Sequence, residues 1–157
     1  MYAVKINMPS EFKIYFEQPV PLETRDIKLL MGTVGLYFIF TKDLPIPYPF
    51  KPSRLLYIGM SERKTTGIGK RLINHHDGVH NVGLKNYRRN RPLNFTILNF
   101  EMIRQFWGLR VEDLESYFIL DFVEKFGVFP ICNNRTGSEI FQAKRQADFR
   151  IDWDYFN

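Results

Sequence analysis

The sequence predicts a single α+β domain, in which a three-stranded antiparallel sheet is flanked by helices. Its 157 residues are enough for one well-buried core and too few for two ordinary domains. Three segments rich in β-branched and aromatic residues are bounded by Gly, Pro or Asp, a pattern that indicates strands. Two further segments carry apolar residues at helical spacing, which indicates amphipathic helices packed on the sheet.

The N-terminal extension, residues 1–33, has the weakest pattern. We predict a strand around residues 12–16, a proline-marked loop at 19–21 and a helical turn over 25–31. The first two strands of the sheet follow at 34–41 and 54–60. The prolines between them, in 43–53, cannot serve a central strand. We therefore expect these residues to form the extended loop of a wide hairpin.

Helices and a third strand complete the core, which spans about 34–134 of a single domain covering 1–157. Residues 68–77 predict a helix packed through Ile68 and Leu72, followed by a Gly- and Asn-rich basic stretch to residue 91. Residues 93–103 predict the third strand, and a C-terminal helical segment is expected in 138–157, with helix over 138–150. The clearest helix is Val111–Phe126, which Gly127 ends. Its apolar stripe consists of Val111, Leu114, Phe118, Phe122 and Phe126.

The charge balance favours a polyanionic partner. Lys and Arg exceed Asp and Glu by 22 to 17, which gives a net charge of +5. An excess of positive charge attracts nucleic acid through counterion release. Cys132 is the only cysteine, so an intramolecular disulfide and a thiolate metal cluster are excluded, and a reducing, intracellular setting is expected. Residues 1–16 contain no continuous apolar segment, so we expect neither a signal peptide nor a membrane partner.

Two tyrosines on the predicted hairpin each have a glycine as same-face neighbour. Tyr37 lies two residues after Gly35, and Tyr57 two residues before Gly59. If Gly35 pairs opposite Gly59, then Tyr37 pairs opposite Tyr57, because antiparallel pairing keeps the sum of residue numbers constant. The two phenols would then share a cleared patch. Without further signals, both would be ordinary strand aromatics whose hydroxyls reach solvent.

The two tripeptides, GLY at 35–37 and YIG at 57–59, resemble the paired motif that names the GIY-YIG nucleases. The order of elements downstream is also similar to that family. A helix carrying Arg71 is followed by a third strand, a helix carrying Glu115, and Asn133 after the proline of PICN. The resemblance covers roughly residues 34–134 and omits both extensions.

The resemblance implies a set of catalytic residues: Tyr37, Tyr57, Arg71, His75, Glu115 and Asn133. Arg71 and His75 are four residues apart, so they project from one helix face, and the neighbouring His76 points elsewhere. His75 matches a histidine found in only part of the family, and would otherwise be a surface histidine. Asn133 either hydrogen-bonds around the site or shapes the turn after Pro130. Asn134, the next residue, is the alternative candidate for the same role.

Glu115 is the implied metal ligand, for Mg²⁺ or Mn²⁺, because hard cations prefer oxygen ligands. The alternative is a helix-flank carboxylate paired with a basic side chain, and Glu112 and Asp113 are weaker candidates on the polar face. By similarity to the family, Tyr37 takes a proton from water, with Tyr57 or His75 assisting. A phenol ordinarily titrates near about 10, so this role needs nearby positive charge from Arg71 and the cation.

The implied function is a stand-alone, metal-dependent DNA endonuclease of restriction or mobile-element type. We expect it in the cytoplasm, in a bacterial or phage-like context, and cutting both strands would need a homodimer or two successive nicks. The alternatives are a catalytically weak DNA-binding or protein-interaction module, and a structure-selective repair nuclease. The expected DNA-binding residues, which would otherwise be solvated charges, are Arg63, Lys64, Lys70, Lys85, Arg88, Arg89 and Arg91.

Overall fold

The structure is a computed structural model that describes residues 11–65, 67–77, 81–133 and 148–157. Its strands are β1 (Glu11–Ile14), β2 (Val20–Pro21), β3 (Gly35–Thr41), β4 (Leu55–Ser61), β5 (Leu93–Asn99) and β6 (Asp148–Ile151). Its helices are α1 (Thr24–Ile27), α2 (Gly67–His76), α3 (Val82–Asn90), α4 (Phe100–Ile103) and α5 (Val111–Phe126). Two 3-10 turns cover Lys28–Leu30 and Trp153–Phe156. No helix in these ranges has the length and apolar character needed to cross a membrane.

The α+β class is confirmed, but the prediction of a three-stranded sheet is wrong. The main sheet has four antiparallel strands in the order β2-β5-β3-β4, and β1 and β6 form a separate parallel pair. The additional strand β2 comes from the segment predicted as a proline-marked loop. Val20 pairs with Phe95, and Pro21 pairs with Asn94. A proline is tolerated there because β2 lies at the edge of the sheet, where a backbone N–H is not needed.

The main sheet separates two hydrophobic layers. Alternate residues of β3, such as Phe38, pack with α5, β6 and the C-terminal turn. The intervening residues, Tyr37 and Ile39, pack with α1 and α2 and with Leu84 of α3. Successive side chains of a strand point to opposite faces, so β3 contributes to both layers. Residues of the N- and C-terminal extensions therefore belong to the same packed layers as the predicted core.

The helix Val111–Phe126 is confirmed as α5. All five residues of its predicted apolar stripe are buried. Gly127 ends the helix in the left-handed region, at φ 97°. At its C-terminal end, the buried Asp121 carboxylate accepts hydrogen bonds from the Trp153 indole and from Lys125, both at 2.7 Å. The C-terminal turn is thereby fixed to α5.

Three other expectations about the elements are corrected. The basic stretch before residue 91 contains the helix α3, which begins where the Asn81 side chain accepts a hydrogen bond from Leu84 N at 3.0 Å. The third strand ends at Asn99 rather than at residue 103, because the Asn99 side chain accepts from Glu101 N and starts α4. The predicted final helix lies mostly outside the described residues. Its last part, 148–150, belongs to β6, in which Phe149 and Ile151 alternate with exposed residues.

Candidate active site

The pairing of β3 with β4 differs from the expected register by two residues. Tyr37 lies opposite Gly59, and Tyr57 lies opposite Ile39. A shift of two residues leaves every side chain on its original face, so both tyrosines still share one face of the sheet. The place beside Gly59 is not empty, because a Cβ at Gly59 would lie 2.3 Å from Cζ of Tyr37. Gly59 therefore makes room for the Tyr37 ring itself.

Tyr37 is the centre of an aromatic and polar cluster. Its side chain is only 2% exposed, and its hydroxyl lies in a 2.8 Å hydrogen bond with Nε2 of His75. The Tyr57 ring is 5.9 Å from that of Tyr37 and 4.9 Å from the His75 imidazole. Tyr57 is half-buried, so this side of the cluster reaches towards solvent. The structure thus brings three of the predicted site residues together.

The start of α2 places His75 beside Tyr37. Gly67 has φ 55°, and a Cβ there would lie 2.6 Å from the backbone nitrogen of Gly32. Only glycine combines this left-handed conformation with so close an approach. The next residue, Ile68, donates its backbone N–H to the Thr33 carbonyl at 2.7 Å. The helix is thereby fixed against the segment that leads into β3.

Glu115 joins the cluster from α5. Its side chain is buried, with 4% exposure, and its negative charge is close enough to raise the pKa of Tyr37. The N-terminal end of α5 is held to the segment after β4 by Glu62, whose carboxylate accepts from Glu112 N at 3.2 Å and from the Arg110 guanidinium at 3.0 Å. Sequence reasoning missed Glu62, since nothing in its neighbourhood distinguishes it from other exposed carboxylates.

Burial is the main influence on the acidity of Tyr37. Removal from water disfavours the phenolate and raises the pKa well above its usual value. The neighbouring Tyr57 raises this pKa further, by charge and by hydrogen bonding, and Glu115 adds to the effect. Among the residues that the structure describes, Arg71 alone acts in the opposite direction and lowers this pKa. The phenol of Tyr37 is therefore protonated at neutral pH, and the positive charge of Arg71 does not suffice to make it a free phenolate.

Arg71 and His75 occupy the same helix but differ in exposure. Arg71 is exposed, whereas His75, one turn later, is buried. His76 faces a different neighbour, since its Nε2 lies 2.6 Å from the Arg88 guanidinium and its Nδ1 lies 2.9 Å from Asp77. The site therefore has a solvent-facing cation beside a buried imidazole and phenol.

Asn133 supports the hairpin. Its side-chain oxygen accepts from Ile58 N at 3.0 Å, and its side-chain nitrogen donates to Ile58 O at 2.9 Å. Its backbone N–H also closes the turn after Pro130, at 2.9 Å. The expected role in the turn after Pro130 is therefore present, and the side chain ties this turn to β4, the strand that carries Tyr57 and Gly59. Asn134 lies outside the described residues.

Asn81 is a second supporting amide, and sequence reasoning did not identify it. It is buried, and its side-chain nitrogen donates to the Cys132 carbonyl at 2.8 Å. The same side chain begins α3, so it ties this helix to the segment that carries Asn133. The sequence does contain one indication of this role, because asparagine favours the position directly before a helix.

The expected basic surface contains one residue with a structural role. Arg88 donates to the His76 carbonyl at 2.5 Å, which fixes α3 against the end of α2. The other six expected DNA-binding residues have exposed side chains on α2, on α3 or in adjoining turns: Arg63, Lys64, Lys70, Lys85, Arg89 and Arg91. Lys85 and Arg89 line one cavity with Arg88, and Arg91 lines another.

Glu115 is the carboxylate that can serve a metal ion at this site. Glu112 instead pairs with Arg110 at 3.3 Å, and Asp113 accepts from Arg110 N at 3.2 Å at the start of α5. Within the described ranges, no group of three or more His, Cys, Asp or Glu side chains is arranged to hold a cation. One carboxylate with water and a substrate phosphate is a common arrangement for Mg²⁺. The oxygen donor present fits that ion class.

Comparisons with protein-family models, with curated proteins and with solved structures find no match for this chain. The resemblance to GIY-YIG nucleases therefore stays a prediction. The function is therefore inferred from the arrangement of four residues: Tyr37, Arg71, His75 and Glu115.

Proposed function

We propose that this protein is a metal-dependent DNA endonuclease of the GIY-YIG type. The observation that carries the proposal is the buried hydrogen bond between Tyr37 and His75, next to the buried carboxylate of Glu115. Buried polar groups gathered at the half-exposed Tyr57 are costly for a purely structural region. Such clusters are typical of sites that move protons.

In the proposed reaction, Tyr37 receives a proton from the attacking water while its own proton passes to Nε2 of His75. The water oxygen bonds to phosphorus, the bond to the leaving oxygen breaks, and that oxygen takes a proton from solvent. A neutral imidazole has a lone pair on one ring nitrogen that can accept this proton, whereas a neutral phenol has no comparably basic atom. This transfer avoids a free phenolate, which the raised pKa of Tyr37 disfavours.

The remaining residues bind and orient the phosphate. Arg71 is exposed beside the cluster, where its guanidinium can donate to phosphate oxygens. Glu115 would hold one Mg²⁺ or Mn²⁺, and the bound ion supplies positive charge to the phosphate and the leaving oxygen. Tyr57 packs against both Tyr37 and His75 and limits their movement. One such site cuts one strand.

The test is cleavage of plasmid DNA with Mg²⁺ and with Mn²⁺. The wild type should give nicks or discrete bands, and a chelator or Glu115→Gln should abolish them. Glu124→Gln is the matched control, because Glu124 is an exposed carboxylate on the same helix and should keep full activity.

The alternatives give different results in the same assay. Binding without cleavage of several diverse DNAs would replace the proposal with a DNA-binding module. Cleavage of a branched oligonucleotide but not of the corresponding linear duplex would indicate a structure-selective repair nuclease.

A further inference from the structure

A cationic cavity lies on the other side of the main sheet from Tyr37, among β1, β6 and the C-terminal end of α5. Its volume is about 370 Å³. Its lining includes Lys13 of β1, Arg150 of β6, Lys51 of the hairpin loop and Lys125 of α5. The cavity belongs to neither the candidate active site nor the expected DNA-binding surface. Its charge therefore needs a separate explanation.

The two strands place like charges directly opposite each other. Lys13 pairs with Arg150 in the register of β1 and β6, and both side chains are exposed. Like charges on neighbouring side chains repel each other. An anion held between the two side chains would convert this repulsion into attraction. The pairing therefore indicates an anion-binding role.

The balance of charge in the cavity remains positive. Two carboxylates, Asp152 and Asp154, also line it, against four cations. Lys125 is partly neutralised by Asp121, at 2.7 Å. The Lys51 ammonium lies 4.9 Å from the centre of the Phe126 ring, which keeps it near the cavity. Lys13, Lys51 and Arg150 are the cations best placed for an anion.

An aromatic side chain adjoins the cations. Tyr15 lines the cavity and is 69% exposed, so its ring offers a flat surface to solvent. A positive groove beside an exposed aromatic is the combination by which proteins hold single-stranded nucleic acid, with phosphate on the cations and a base on the ring. Inorganic anions would not use Tyr15 in this way.

We infer that this cavity binds a phosphate group of a nucleic-acid strand, with the adjoining base stacked on Tyr15. This inference goes beyond the proposed function, since binding there requires no catalysis. Its residues are separate too, because Lys13 and Arg150 belong to the two extensions and Lys51 to the hairpin loop, and none of them is among the residues around Tyr37. The protein would then contact nucleic acid on both sides of its sheet.

Binding of a short fluorescent oligothymidylate tests the inference in full-length protein without divalent metal. All proteins carry Glu115→Gln, so that failure of cleavage and failure of binding are distinguishable. The test variant adds Lys13→Gln and Arg150→Gln. The matched control adds Lys28→Gln and Arg104→Gln, which remove one exposed lysine and one exposed arginine elsewhere. Thermal unfolding of each variant confirms that the fold is retained.

The cavity variant should lose affinity about tenfold relative to the control, and the salt dependence of binding should be shallower by about 0.7, for one lost phosphate contact on a single strand. Tyr15→Ala should also weaken binding of the oligonucleotide, and it provides a second variant outside the strand pairing. Equal affinity of the cavity and control variants would overturn the inference. A second result would also overturn it. Inorganic phosphate or a mononucleotide would bind the cavity, while the cavity substitutions would leave binding of the oligonucleotide unchanged.

Discussion

At the scale of single residues, Gly35 and Gly59, the glycines of the two tripeptides, each leave space for a neighbouring group. The Tyr37 ring occupies the space that a side chain at Gly59 would need. A Cβ at Gly35 would lie 2.0 Å from the Leu98 carbonyl oxygen of the neighbouring strand. The glycines therefore do not clear a patch beside two tyrosines. Gly59 admits the phenol of Tyr37, and Gly35 admits the backbone of β5.

Gly59→Ala should therefore disable the site by displacing Tyr37 from His75. The added methyl group would lie 2.4 Å from the Tyr37 hydroxyl, so the ring has to move. We expect loss of DNA cleavage together with a fall in the free energy of unfolding of about 1 to 3 kcal/mol, typical of overpacking. Urea unfolding and plasmid nicking measure the two effects.

Tyr37→Phe is the comparison for this variant, since it removes the hydroxyl and adds no clash. It should lose cleavage with a smaller loss of stability. A Gly59→Ala protein that cuts DNA at the wild-type rate would show that the position of the Tyr37 ring does not matter.

At the scale of elements, the sequence predicted the segments with strong apolar periodicity and missed those defined by local capping. The helix α5 agrees with its prediction because its buried stripe is long. The helix α3 was missed because few of its residues are buried, and its start depends on one hydrogen bond that the Asn81 side chain accepts from Leu84 N. The strand β2 was missed because its pairing with β5 is decided by tertiary contacts, which no local pattern encodes.

The candidate site follows the same division. Sequence resemblance gave the residue types, but not the pairing of Tyr37 with Gly59, which depends on the register of two strands. The resemblance also could not reveal that burial raises the pKa of Tyr37, because burial is a property of the packed molecule. The support from Glu62 and Asn81 depends on contacts between distant parts of the chain and was equally hidden.

Asn133→Asp should weaken the contact between strand β4 and the segment that follows α5. The substitution replaces the donor to the Ile58 carbonyl by an acceptor, so it leaves a hydrogen bond unmade and sets oxygen against oxygen. We expect the free energy of unfolding to fall by about 1 to 3 kcal/mol. Denaturant unfolding measures this change.

The matched control is Asn90→Asp, at an exposed asparagine whose side chain donates a hydrogen bond to Asn86 O within its own helix. It should change stability by less than about 0.5 kcal/mol. Equal losses at the two positions would mean that the bonds to Ile58 contribute nothing particular to the fold.

At the scale of the whole molecule, the core holds several thiol and phenol groups in their protonated form. The free energy of unfolding should therefore fall as the pH becomes alkaline. Burial raises the pKa of the Cys132 thiol from 9.0 to about 12. The pKa values of Tyr37 and Tyr48 are raised from their usual value of 10.0, chiefly by burial. In each case the unfolded chain releases its proton at a lower pH than the native protein does. The stabilisation is therefore complete below the unfolded pKa and is lost as the pH rises towards the native one.

Stability should decline above about pH 9, with a slope approaching 1.4 kcal/mol per pH unit for each group ionised only in the unfolded state. Urea unfolding at a series of pH values, under reducing conditions, measures the slope. Cys132→Ala should show a shallower decline than the wild type between pH 9 and 10, where each tyrosine contributes less than the thiol because its usual pKa of 10.0 is higher. Parallel curves for the two proteins would contradict the assigned role of Cys132.

The most direct test of the proposed site is a double-mutant cycle on Tyr37 and His75, measured as the single-turnover rate of plasmid nicking. Tyr37→Phe and His75→Gln should each lower the rate by about a hundredfold or more. The double variant should be little slower than the slower single variant, because residues that transfer one proton act as a unit. Nicking at the wild-type rate by either single variant, or losses that multiply in the double variant, would contradict a proton transfer through this pair.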